Sequence, residues 1–393
     1  VDVIKLGNNY FSAYAPFNAV LMAIPYFALQ IIYYFWTHLF GGINGDISLI
    51  FESLAFSLPS SLALVGILIL LKKYIGNNVK ISSLNLNLLT LGTGLGTLLF
   101  SYSVSYFNHV ISAFFIFSAF YILSISHNKK YLFVGILTGL AFLTEFPTVL
   151  FCFAVLAAEI FLLISRKKKL SEFISDLFWF SIPVATSVLI ILAYNQYHFG
   201  DPFLFAESIL REQKAAKEAT THSFSQNPIY GLYGELFSPL KGLFIYSPFL
   251  IFGVFGIKSF LKRNQYSAIL AMSYTVMILF IYSLWNDCFG ASVYGSRYII
   301  TVIPFLIVSS AYFYEKNYQI SVLKYLLILL ITVSVFTTVS NAWLGIARGK
   351  FGECERYLNS MNPYTSAIES FTDEDGPKIS PIIFQYVLDK QIK

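Results

Sequence analysis

An all-α membrane protein, a polytopic bundle of about ten bilayer-crossing helices, is the fold class this sequence predicts. Three observations predict it. Hydrophobic residues fill 56% of the 393 positions and charged residues only 12%, about half the charged share of an ordinary soluble domain. Aromatic residues reach 18%, with 40 Phe and 27 Tyr, a composition suited to lipid-facing surfaces and to interfacial belts. The third observation is a succession of apolar runs near the roughly 20 residues that cross a hydrocarbon core about 30 Å thick.

The runs fall near 17–38, 51–71, 84–103, 108–126, 132–146, 148–165, 176–195, 242–260, 266–285, 299–314 and 323–345, eleven candidates in all. Pro25, Pro59, Pro147, Pro183, Pro248 and Pro304 interrupt them, which membrane helices tolerate when neighbours satisfy the freed carbonyl. Orientation follows from Lys and Arg, which are retained on the cytoplasmic side during insertion. Lys72, Lys73 and Lys80, then Lys129 and Lys130, Arg166 to Lys169, Lys258, Lys262 and Arg263, and finally Lys316 and Lys324 supply 14 of the 26 basic residues. These five groups alternate by two spans, so one assignment places them all in the cytoplasm. The run 17–38 breaks this alternation unless it is an interfacial or re-entrant helix, or unless the N-terminus lies inside.

The opposite, outer face then carries the turns at Ser105 to His109 and Thr144 to Thr148, an outer loop over 196–241, the loop Trp285 to Tyr298 and a tail. Residues 1–347 form the transmembrane helical domain and 348–393 an extramembrane tail with an acidic patch at Asp373 to Asp375. Phe203 to Phe224 reads as an amphipathic outer helix with a solvated charged face. Cys152 falls in a span and Cys288 and Cys354 in polar stretches, which excludes a disulfide framework. The net charge of +5 is explained by the retention loops, so no nucleic-acid partner is expected. Walker, dinucleotide, HExxH, CxxC and nucleophile-elbow motifs are all missing from the sequence, leaving ATP-driven transport and common hydrolase chemistry without support.

Ionisable groups at bilayer depth are costly and mark function or a buried partner. Glu145, in GLAFLTEFPTVL, stands at the outer end of a span before Pro147, as a solvated turn residue or a site residue. His109, in SYFNHV, heads the neighbouring outer turn, where an interfacial hydrogen-bonding role outweighs that of a base. Glu159 is expected to snorkel at the inner face. WNDCFGASVYGSRY gathers Asp287, Tyr294, Arg297 and Tyr298 at the outer end of a helix; Arg297 there offers a planar fork to a phosphate or carboxylate. In YGLYGELFSPLKGLFIYSP, Lys241 and Tyr246 lead into a span, and Lys241 either meets a phosphate or snorkels.

The succession NNYFSAYAPFNAVLMAIPY, GLGTLLFSYSVSYFNHVISAFFIF, GLAFLTEFPTVL, YNQYHFGDPF, ELFSPLKGLFIYSPFL and YGSRYIITVIPF resembles the GT-C superfamily of membrane glycosyltransferases. It looks most like the prokaryotic relatives of dolichyl-phosphate-mannose protein mannosyltransferases, over about residues 8–315. The resemblance implies a GT-C-like bundle whose outer loops bind a polyprenyl- or dolichyl-phosphate sugar and pass the sugar to a lipid, glycan or protein acceptor. It further implies a carboxylate general base in the first outer loop, with cations on the departing phosphate. Arg297, Lys241 and Tyr298 match the donor-phosphate side. The family's acidic residue would fall upstream of Val1, so an N-terminal truncation is expected; Asp2 and Glu145 are the weak candidates in this chain, and His109, Asp287, Tyr294 and Tyr246 are further outer-face candidates.

The expected function is inverting sugar transfer on the outer face of a prokaryotic cytoplasmic membrane, the tail outside, with membrane lipids around it. No cofactor or metal site is identified, and assistance by a divalent metal stays open. Two rivals remain: a transporter or flippase of lipid-linked or small solutes, which should show broken helices and midplane ionisable residues, and a non-catalytic membrane scaffold.

Overall fold

The computed structural model describes residues 3–6, 9–12, 15–40, 45–105, 107–125, 130–210, 224, 226–238, 241–285, 295–317 and 320–344. The tail 348–393, most of the expected amphipathic helix, and Asp2, Asp287, Tyr294, Cys288 and Cys354 lie outside the described residues. A short antiparallel hairpin, β1 (Val3–Leu6) with β2 (Asn9–Ser12), pairs Val3 with Ser12 and Leu6 with Asn9. Everything else of regular structure among the described residues is helical.

Seven of the described helical segments are long and apolar enough to cross a membrane: Phe17–Leu39, Glu52–Asn78, Phe146–Ile164, Leu170–Phe199, Gln265–Ser283, Arg297–Lys316 and Ser321–Val339. His109–Ser124 and Lys130–Thr144 are shorter apolar helices. The chain is an integral membrane protein built from helices. Two of the expected runs are each divided. The run 84–103 becomes α3 (Ser83–Leu95) and α4 (Leu98–Ser103), because Gly96 ends the first and the Thr97 hydroxyl caps the second, accepting from Leu99 N at 3.3 Å. The run 242–260 is divided by Pro248, whose ring starts a new turn ahead of Ile251–Arg263. The two interruptions meet: Ser247 donates its hydroxyl to the Gly96 carbonyl at 2.8 Å.

The remaining helices pack through small residues, as membrane helices do where backbones approach closely. Between α6 (Lys130–Thr144) and the helix Leu170–Phe199, Gly135 faces the Phe180 carbonyl and Gly139 the Ser187 hydroxyl. α1 (Phe17–Phe40) packs against α2 (Gly45–Asn78), with Tyr26 stacked on Phe56 at 5.8 Å. Ser60 and Ser61, midway along α2, donate to the carbonyls of Phe107 and Ser103 at 3.1 and 2.9 Å. Beyond that level, the second half of α2 packs on α5 (His109–Ser124), Tyr74 reaching Phe120 at 5.1 Å. α1 thus pairs with the half of α2 that precedes the turn at Ser103 to Phe107.

Contacts sort the loops into two ends. At the basic end, Lys80 N donates to Glu315 Oε1 at 3.0 Å, Arg263 lies 3.7 Å from the same carboxylate, and Lys167 reaches Gln265 at 3.3 Å. Glu159, fully buried, accepts from Tyr131 and Tyr266 at 2.6 and 2.8 Å and pairs with Lys168. Lys168 also meets Asp176 at 2.6 Å. The snorkelling expected of Glu159 is thereby corrected: two phenols and an ammonium satisfy its carboxylate inside the protein, so it has no need to reach water.

Candidate functional site

The other end of the bundle brings together the turns at 103–109 and 144–148 and the start of the segment that opens at Gly295. His109 is the first residue of α5. Asn108 donates its side-chain amide to the Thr144 carbonyl at 2.5 Å, which fixes the head of α5 against the end of α6. Glu145 follows in extended backbone before a 3-10 turn, Phe146–Val149, that Pro147 starts. Thr148 closes that turn on the Glu145 carbonyl with both its N–H and its hydroxyl, at 3.1 and 2.7 Å.

This local geometry aims the Glu145 carboxylate at the first turn of α5. Oε1 lies 3.0 Å from His109 Nδ1, and Oε2 accepts from the Ser112 hydroxyl at 2.5 Å. His109 and Ser112 can both reach it because residues three apart share one helix face. Tyr282, at the end of the helix Gln265–Ser283, donates its hydroxyl to Oε1 at 3.3 Å. Only 7% of Glu145 is exposed, so the solvated-turn reading of this residue does not hold.

A cation shares two of the rings that flank His109. The 3-10 turn Arg297–Val302 begins two residues after Gly295, which takes a left-handed φ of 63° and lies under Leu98 with no room for a Cβ. The Arg297 guanidinium carbon stands 5.5 Å from the centroid of Phe107 and 5.2 Å from that of Tyr298, with Nη2 at 3.5 Å from the Tyr298 hydroxyl. Such cation–ring contacts hold a guanidinium in place. Tyr298 in turn stacks on Tyr282 and meets His109 edge-on at 6.2 Å.

Of the residues singled out from sequence, the structure therefore brings Glu145, His109, Arg297 and Tyr298 into one cluster. Lys241 joins its backbone to the same region, its carbonyl accepting from Ser296 N at 3.2 Å. The Lys241 side chain is 1% exposed, so of its two readings snorkelling does not hold: the ammonium is enclosed by protein. Tyr246 is buried as well. Sequence reasoning missed Ser112, Tyr282 and Phe107. Ser112 carried a weak signal, its spacing from His109; Tyr282 sat inside an apolar run with nothing to distinguish it.

Glu235 was also missed. It lies in the helix Pro228–Leu236, capped by Asn227, is fully buried, and neither carboxylate oxygen has a hydrogen-bond partner among the described residues. Burial raises its pKa well above the ordinary carboxylate value. Among the described residues, no three His, Cys, Asp or Glu side chains converge as a metal site would require.

No family model matches this chain, and neither a curated protein nor a solved structure is similar to it. The cluster itself, within an integral membrane helix bundle, is what any functional reading has to explain.

Proposed function

We propose that this protein is a membrane glycosyltransferase of GT-C type, with about ten spans, that moves a sugar from a polyprenyl-phosphate donor to a lipid, glycan or protein acceptor. The reaction is assigned to the outer face of a prokaryotic cytoplasmic membrane, the face opposite the basic loops. One observation carries the reading: Arg297, held between Phe107 and Tyr298, stands beside a His–Glu pair at the end of the bundle away from those loops.

The chemistry needs those two features close together. As the bond between sugar C1 and the phosphate oxygen breaks, negative charge grows on the departing lipid phosphate, and a fixed guanidinium lowers the energy of that state. A proton must also leave the attacking hydroxyl, for which a base is required nearby. Membrane lipids would bring the polyprenyl chain laterally to the bundle.

The test uses purified full-length chain in proteoliposomes. Saturable binding of farnesyl phosphate, and release of polyprenyl phosphate from mannosyl- or glucosyl-phosphoryl polyprenol, are expected of the native protein. Arg297→Ala should weaken farnesyl phosphate binding about 10- to 100-fold and abolish release while the protein still elutes as a folded species. Absence of saturable binding by the native protein, or unchanged binding by Arg297→Ala, overturns the proposal.

A further inference from the structure

We propose that in this chain His109 takes the role of general base that the resemblance gives to a carboxylate, and that Glu145 is the residue that positions it; the inference rests on the glycosyltransferase reading above and departs from the family pattern at this one role. The argument starts at the carboxylate. Glu145 receives the Ser112 and Tyr282 hydroxyls and sits 3.0 Å from His109 Nδ1. An ionised carboxylate only accepts, so Nδ1 must carry the proton that bridges the pair. The tautomer is then fixed, and the lone pair is left on Nε2.

Among the described residues Nε2 has no hydrogen-bond partner. The ring cannot swing freely to find one: Tyr102, Phe107 and Tyr298 stand around it with centroids at 6.1, 6.2 and 6.2 Å. His109 keeps 7% of its surface exposed. A purely structural tie between α5 and α6 is already made by Asn108 and the Thr144 carbonyl, whereas an oriented imidazole with a bare nitrogen, next to a cation for the leaving group, is the arrangement base catalysis requires.

The step balances within these groups. Nε2 takes the proton of the acceptor hydroxyl, the acceptor oxygen forms its bond to sugar C1, and the C1 to phosphate-oxygen bond breaks with its electron pair leaving on the lipid phosphate beside Arg297. The imidazolium so formed is stabilised by Glu145 and then releases its proton to water. The ionisable groups facing His109 from the packed elements are Glu145, Arg297, Tyr298, Tyr102 and, across Glu145, Tyr282, on which Glu207 also acts.

Two variants test this with farnesyl phosphate as the binding probe and mannosyl-phosphoryl polyprenol as the donor. His109→Ala should lower turnover about 10²- to 10⁴-fold, hold farnesyl phosphate binding within about twofold, and regain activity with added imidazole. Glu145→Gln leaves the ring in place but removes its anion, so the acidic limb of the kcat/KM profile should move to lower pH by about one unit or more, with a lower plateau. Imidazole-independent turnover by His109→Ala within about threefold of native, or an unmoved acidic limb in Glu145→Gln, overturns the inference and leaves the transferase reading intact. Failure of the native protein to bind farnesyl phosphate or to consume donor removes the reading on which it rests, and the inference with it.

Discussion

The Tyr282 ring lies parallel to the Tyr298 ring, their centroids 4.6 Å apart and their planes 2° from parallel. Through this one contact the Glu145 carboxylate, which accepts from the Tyr282 hydroxyl, is coupled mechanically to the turn that presents Arg297. It joins the stretches near 145 and 282 to the one near 297, while Asn108 and the Thr144 carbonyl join the stretches near 107 and 145.

Removing the ring should therefore loosen the cation. Tyr298→Ala loses an aromatic pair contributing about 0.5–1.5 kcal/mol beyond its buried area and one of the two faces that hold Arg297. Farnesyl phosphate binding is expected to weaken about tenfold in Tyr298→Ala and less than about twofold in Tyr298→Phe, which keeps the ring. Equal affinity of the Ala and Phe variants, by fluorescence titration, would count against the coupling.

The basic end carries a second buried network whose contribution is to stability. Glu159→Ala would leave Lys168 with Asp176 and the Tyr131 hydroxyl, and two phenols without their acceptor. A loss of about 3–5 kcal/mol is expected from breaking a buried pair on one side. Tyr266→Phe should cost about 1–2 kcal/mol, the scale of one hydrogen bond to a charged group. Denaturant unfolding in mixed micelles separates the two; a Glu159→Ala protein as stable as native would show that the network is not structurally coupled.

Helix content and membrane class were legible in the sequence because they follow from bulk apolarity, which acts along the whole chain. Pro248 marked one interruption, but the break at Gly96 and its meeting with Pro248 were not legible, since they rest on the bond from Ser247. At the site, Arg297, Tyr298, His109 and Glu145 stood out as polar residues flanking apolar runs. Their convergence did not, because it depends on Tyr282, an apolar-run residue whose hydroxyl is significant only beside Glu145. Snorkelling, the expectation for Glu159 and one of two for Lys241, follows the general tendency of long charged side chains; burial depth is a property of packing that spacing alone does not carry.

Glu235 gives a pH-dependent prediction. Its folded-state pKa is raised above the unfolded value near 4.5, with burial the cause. A raised carboxyl pKa means that stability is whole below the unfolded value and declines as pH rises toward the folded one, by about 1.4 kcal/mol per pH unit in that window. Glu235→Gln stays neutral throughout, so it should match native stability at low pH and exceed it increasingly as pH rises, levelling off above the folded value. Parallel unfolding curves for the two proteins across pH 4 to 9, showing a constant difference, would mean that Glu235 is solvated or paired in solution.

Close backbone contact between the helices Ile251–Arg263 and Ile303–Lys316 rests on glycine. A Cβ at Gly256 would lie 1.9 Å from the Ser309 carbonyl oxygen, and one at Gly253 would lie 2.5 Å from that of Leu306. Both obstacles are backbone, so relief requires the helices to separate, and the bond from the Ser309 hydroxyl to the Gly253 carbonyl at 2.6 Å would go with it. Gly256→Ala is thus expected to cost about 2 kcal/mol or more, the middle to upper part of the range for overpacked sites, even though alanine favours helix by about 1 kcal/mol. Gly76 supplies the control: a Cβ there meets only the Leu86 side chain, at 3.9 Å, so Gly76→Ala should be neutral or stabilising. Should both variants unfold at the native midpoint, the tight apposition of these two helices would not exist in the membrane.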